Sequence, residues 1–134
     1  MEQGVILETT FLIDLEREVL AGDPGPAHEF LQTLVGVPVF ITFTVAGEMA
    51  CGVEPDERPV WERLISDFDL LTYDQDVCWR YGMIYRYLRE QGLLIGTNDL
   101  WIAATALANA MPVVTSNVRE FRRVPGLRVM SYRD

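Results

Sequence analysis

Five short apolar runs punctuate this chain, and between them hydrophobic residues recur at helical spacing. The runs are Val5–Leu7, Val37–Thr42, Leu70–Tyr73, Pro112–Thr115 and Leu127–Met130. Each is shorter than an ordinary helix, so each is read as a strand, the first of them buried. Phe11, Leu12, Leu15 and Val19 mark a first helix; Phe30, Leu31, Leu34 and Val35 mark a second, after a loop at Gly22–Pro26. Another helix runs from Thr42 through Glu48. The next starts at Pro55–Pro59, with Val60, Trp61, Leu64 and Ile65 as its apolar face. A long helix spans Asp74–Gln91, closed by Gly92. Asn98–Ala110 carries the stripe Leu100, Ala103, Ala104, Leu107, Ala108, Met111, and a short helix lies around Val118–Phe121. Strands that alternate with helices predict an α/β domain, helices packed around a mostly parallel sheet. A length of 134 residues and a hydrophobic fraction of 49% suit one domain over residues 1–134 with a real core.

Several chemistries fall away early. Cys51 and Cys78 have no CxxC spacing, so no zinc site is expected, and buried free thiols are the expected state. The one histidine, His28, lies in a Pro/Gly-rich stretch and reads as a surface residue near a helix start. Triads built on histidine and His-rich metal sites are therefore disfavoured, and carboxylates are left to do any catalysis. Acidic Glu2 and a brief first apolar run predict no signal peptide. No run approaches the roughly 18 apolar residues of a membrane span, so a soluble cytoplasmic protein is expected.

The net charge of −9 argues against non-specific binding to nucleic acid, but its distribution does not. Residues 1–79 hold 16 acids against three arginines, whereas residues 80–133 hold eight arginines against three acids. Every basic residue is arginine, the side chain suited to bidentate phosphate contact. Arg119, Arg122 and Arg123 are candidates for contact with a nucleic-acid backbone; a solvated helix face is the competing reading.

In open parallel sheets, ligands bind beyond the carboxyl ends of strands, where strand order reverses. Glu8 follows the first strand, Asn117 lies just past Thr115, Glu48 lies on the helix after the second strand, and Asp99 opens the alanine-rich helix. Taken singly, each has a plain explanation, as a cap or a solvated residue. If the strands from Val5 and Val113 are neighbours, the four meet at one sheet edge. Such a set of oxygen donors suits a hard cation such as Mg²⁺, or Mn²⁺.

These segments resemble the PIN-domain ribonucleases, in particular the toxins of VapBC-type toxin–antitoxin pairs. The resemblance is carried by Val5-Ile6-Leu7-Glu8-Thr9-Thr10-Phe11-Leu12-Ile13-Asp14, by Ile41-Thr42 through Val45-Ala46-Gly47-Glu48, and by a third stretch. That stretch runs from Ile95-Gly96-Thr97-Asn98-Asp99-Leu100-Trp101-Ile102-Ala103-Ala104 through Val114-Thr115-Ser116-Asn117-Val118-Arg119-Glu120-Phe121 to Val124-Pro125-Gly126-Leu127. The resemblance implies a three-layer α/β/α sandwich and a Mg²⁺- or Mn²⁺-dependent endoribonuclease, a hydrolase leaving 5′-phosphate and 3′-hydroxyl ends. It also implies a cognate antitoxin and a homodimer. The acids carried over are Glu8, Glu48 and Asp99, with Asn117 at the fourth position; Thr10 and Thr115 match hydroxyl positions that orient water or metal.

The implied roles place Mg²⁺ on Asp99 and Glu8, with Glu48 orienting or deprotonating the attacking water. Asn117 and Thr115 position water. Two departures matter: the first family acid is normally Asp, where this chain has Glu8, and Asn117 leaves three formal charges, which favours a single ion. The alternative is a catalytically weakened PIN-like module that mainly binds an antitoxin or RNA. A nucleotide-binding or phosphatase reading is disfavoured, since no glycine-rich phosphate loop is present. In the long helix, Val77, Tyr81, Ile84 and Leu88 form one apolar stripe and Trp79, Met83 and Tyr87 another. A helix apolar on two faces is either deeply buried or joined to a partner, and here a homodimer contact is expected.

Overall fold

The computed structural model describes residues 4–133; Glu2 and Asp134, counted above, lie outside them. In chain order the elements are β1 (Val5–Leu7), α1 (Thr9–Ala21), α2 (Pro26–Gln32), β2 (Val39–Thr42), α3 (Phe43–Ala50), α4 (Arg58–Ile65), β3 (Asp69–Leu71), α5 (Gln75–Gln91), α6 (Thr97–Ala108), β4 (Val113–Val114), α7 (Val118–Phe121) and β5 (Val129–Met130). All five strands pair in parallel, in the order β3-β2-β1-β4-β5. Right-handed crossovers run outward one way to β3 and then the other way to β5, which puts their helices on opposite faces. The expected three-layer sandwich results, and its point of reversal lies between β1 and β4. There Ile6 aligns with Val113 and Leu7 with Val114.

β2 and β4 each start directly after a proline, which cannot donate to the ladder. Pro38 and Pro112 instead offer carbonyls, accepting from Val5 N–H at 3.0 Å and Ile6 N–H at 2.9 Å. Being central, β1 is buried on both faces, and Ile6 and Leu7 are fully enclosed.

The second helix starts earlier than its apolar spacing suggests. Pro26 opens it, and the Glu18 carboxylate accepts the backbone N–H groups of Gly25, Ala27 and His28 at 2.9, 3.0 and 2.9 Å. Val35, expected on that helix, lies beyond its end and is 87% exposed. The alanine-rich helix is not a one-sided stripe either: Ile102, Ala103, Ala104, Thr105 and Ala106 are all buried, because α6 packs against both α5 and α3. The cysteines are free, as expected, but exposed rather than buried: Cys51 ends α3 and Cys78 sits on the outer side of α5. Among the described residues no helix is long and apolar enough to cross a membrane.

Two glycines test this packing with opposite signs. Gly4 has φ +109°, and a Cβ there would meet the Phe40 ring at 2.6 Å and the Pro38 carbonyl at 2.9 Å. Gly82 sits inside α5 with nothing within 4 Å of a Cβ. Thermal unfolding should show Gly4→Ala destabilised by about 1–3 kcal/mol and Gly82→Ala stabilised by about 0.5–1 kcal/mol.

Candidate active site

The switch point positions Glu8. Its backbone N–H donates to the Val114 carbonyl at 3.0 Å, which ties the residue after β1 to the end of β4. The side chain is 5% exposed, an unusual burial for a carboxylate. What makes it tolerable is a pair of hydroxyls. Thr10 Oγ1 and Thr115 Oγ1 both donate to Glu8 Oε1, at 2.7 and 2.6 Å. Each hydroxyl also accepts a backbone N–H: Ser116 N–H to Thr10 at 3.0 Å and Asn117 N–H to Thr115 at 2.8 Å. With the acceptor sides so occupied, both hydroxyl protons point to the carboxylate.

The remaining acids arrive on helices. Glu48, in the last turn of α3, is held at both oxygens: Thr9 Oγ1 donates to one at 2.5 Å and Asn98 Nδ2 to the other at 3.2 Å. Asp99 stands in the first turn of α6, whose N-cap is Gly96, so it is not the cap of that helix. Its carboxyl is pushed up to about 6, first by burial, then by the like charges of Glu8, Glu48 and Glu120. Among the described residues Asp99 forms no ion pair, and it stands in the negative field of Glu8, Glu48 and Glu120. Asn117 is the N-cap residue of α7, yet its side chain makes no capping bond.

The structure therefore brings Glu8, Thr10, Thr115, Glu48 and Asp99 to one end of the sheet, with Asn117 beside them. Glu120 was missed in the sequence. It lies three residues after Asn117, the spacing that places both on one helical face, and that spacing was the available signal. Among the described residues no three His, Cys, Asp or Glu side chains converge closely enough to form a preformed ligand set. Glu8 keeps its second carboxylate oxygen free of the Thr10 and Thr115 hydroxyls, which both meet Oε1. The donors are all carboxylate oxygens around Asp99. That chemistry fits a hard cation that keeps several of its own waters.

The arginine candidates separate. Arg123 Nη1 donates to the Leu94 and Leu93 carbonyls at 3.1 and 3.4 Å, so its head group ties down the loop before α6. Arg119 and Arg122 are exposed and form no ion pair among the described residues.

Comparison with known proteins agrees with this geometry. Residues 5–127 match the PIN domain family model. The chain is 36% identical over 131 residues to Ribonuclease VapC1 of Rickettsia felis, covering 96% of each protein. It superposes on a chain of VapBC-1 from nontypeable Haemophilus influenzae with a TM-score of 0.83 at 28% identity, covering 97% of this chain and 98% of that one. DNA-bound VapBC from Salmonella typhimurium gives the same TM-score and identity, with 98% and 99% covered. A parallel sheet reversing at β1 and β4, acids gathered at that reversal, and a family match over nearly the whole chain lead to one conclusion: this chain belongs to the PIN-domain family.

Proposed function

We propose that this protein is an endoribonuclease toxin of a VapBC-type pair, hydrolysing RNA phosphodiester bonds at the Glu8, Glu48, Asp99 cluster. The observation that carries the reading is the raised Asp99 carboxyl among three other acids. Carboxyls raised by burial and by like charges cluster at functional sites. Homologues named Ribonuclease VapC support the nuclease, and the likeness to VapBC assemblies supports an antitoxin partner.

Asp99 and Glu8 would hold one Mg²⁺ or Mn²⁺ ion, with Glu48 close by and Glu120 adding negative charge. When bound there, such an ion supplies a lowered pKa for a coordinated water and charge compensation on the phosphoryl oxygens. Glu48, fixed by Thr9 and Asn98, orients the attacking water and accepts its proton. Thr115 and Thr10 hold Glu8 in one rotamer, and Asn117 offers an amide to water at the same edge. Arg119 and Arg122 present free guanidinium groups to the RNA backbone. The length of Glu8 suits a pocket in which two hydroxyls meet one of its oxygens, which favours an active site over a weakened one.

Dimerisation is part of the proposal. On α5, Val77, Ile84 and Leu88 face the core, while Trp79, Met83 and Tyr87 are 67%, 41% and 43% exposed. The exposed three line a shallow groove with Leu107 and Pro125, edged by the Asp76–Arg80 ion pair. An apolar strip of this kind suits a second copy of the chain.

Asp99→Asn should abolish Mn²⁺-dependent cleavage of a defined RNA, by at least about a hundredfold in kcat; full retained activity would sink the scheme. The same change should stabilise the metal-free protein. Because the native carboxyl titrates near 6 rather than 3.8, the folded state holds the extra proton between those values. Stability of the parent therefore falls as pH rises from about 4 to about 6. In Asp99→Asn that fall disappears, a gain on the order of 1 kcal/mol at neutral pH after solvent screening of this half-buried group. Chemical denaturation across that range measures it.

Glu8→Asp withdraws the carboxylate from Thr10 and Thr115 by roughly 1 Å and should lower kcat by roughly tenfold to a hundredfold. A rise instead would mean that Glu8 handicaps the site, as the weakened-module reading holds. Sedimentation equilibrium at micromolar concentration should give a dimer for the parent and a monomer for the Trp79→Glu, Met83→Glu double variant.

A further inference from the structure

The C-terminal segment reaches back across the molecule to the first turn of α1. Tyr132 is 7% exposed, and its ring meets the Phe11 ring edge-to-face with centroids 4.8 Å apart. Its hydroxyl donates to Asp14 Oδ2 at 2.6 Å and lies 3.1 Å from the Thr10 carbonyl. Asp14 also accepts from the Arg133 guanidinium. Thr10 is thus held at its hydroxyl between Ser116 N–H and Glu8 Oε1, and its part of α1 is anchored through the bond from Tyr132 to Asp14.

We infer that Tyr132, with Asp14, is a positioning residue for the nuclease: its hydroxyl fixes the first turn of α1 so that Thr10 holds the Glu8 carboxylate in place. The inference rests on the nuclease reading above and adds a residue that lies far from it in sequence. The phenol is suited to the task. Burial, and then the hydrogen bond to Asp14, raise its ionisation above the ordinary tyrosine value, so it remains a donor throughout the working pH range. Packing of the ring does not need the hydroxyl, since Phe11 meets the ring itself. Deleting the oxygen therefore separates positioning from packing.

The test compares the parent with Tyr132→Phe, Asp14→Ala, Asp14→Asn and Arg133→Ala. It uses two readouts: RNA cleavage kinetics with Mn²⁺, and direct Mn²⁺ binding followed by the electron paramagnetic resonance signal of the free ion. Tyr132→Phe and Asp14→Ala should lower kcat by roughly tenfold, with KM for RNA changed by less than about twofold, and weaken Mn²⁺ binding by about threefold or more. Asp14→Asn keeps an acceptor for the phenol and should stay close to the parent. Arg133→Ala leaves the phenol–carboxylate bond intact and should also stay close to the parent. A Tyr132→Phe protein that matches an active parent in both kcat and Mn²⁺ affinity overturns the positioning role alone. So does a loss confined to melting temperature. A parent that neither cleaves RNA nor binds Mn²⁺ overturns the nuclease reading, and this inference with it.

Discussion

The bond between Glu8 N–H and the Val114 carbonyl is small, but the site depends on the pairing it belongs to. The β1–β4 pairing joins segments more than a hundred residues apart and closes most of the chain into one loop. The entropy of that closure is offset by burial of Ile6, Leu7, Val113 and Val114, all fully enclosed. Once the strands are aligned, Glu8 and Thr115 have no freedom to part. The placing of Glu8 beside Thr115 is thus a by-product of the buried β1–β4 pair, and its precision derives from the rigidity of that core.

The same place holds the least favourable electrostatics. Glu8 is accommodated by two directed hydroxyls, and Glu48 by a hydroxyl and an amide. Asp99 receives no such help and is left near the proton affinity of water-exposed histidine. A fold selected for stability alone would pair or remove that charge. Glu8 and Glu48 are thus built into the wall by their hydrogen bonds, whereas Asp99 is raised by burial and like charges. Arg123 shows the opposite partition among the basic residues: it is spent on the loop carbonyls of Leu93 and Leu94, while Arg119 and Arg122 face solvent.

Much of this was legible in the sequence, for a physical reason. Apolar runs of strand length and helical periodicity report burial directly, so the alternation of β and α, and the position of Glu8 after a central strand, could be read without coordinates. Asp99 and Glu48 could be placed at the same edge once β1 and β4 were taken as neighbours. What could not be read depends on contacts between distant segments. The Glu18 carboxylate replaces a local cap for α2, so apolar spacing placed that helix too late. α6 is buried between two other helices, and its alanines conceal this because they carry so little hydrophobic signal. Glu120 and Tyr132 carry no signal of their own in the sequence, because what gives them a role is their contact with segments far along the chain. The exposure of Cys51 and Cys78 was missed because cysteine is ordinarily among the most buried residues.

The strand order also sets a timetable. β1 is made first and occupies the centre of the sheet, but one of its two neighbours, β4, comes almost last. During synthesis from the N-terminus, Glu8 waits without Thr115, Asp99 or the Tyr132 hydroxyl until most of the chain exists. A nascent or truncated chain ending before β4 carries Glu8, Glu48 and Asp99 but lacks Thr115, so it has no enclosed site. Assembly of the site is thus deferred by topology until β4 has been made.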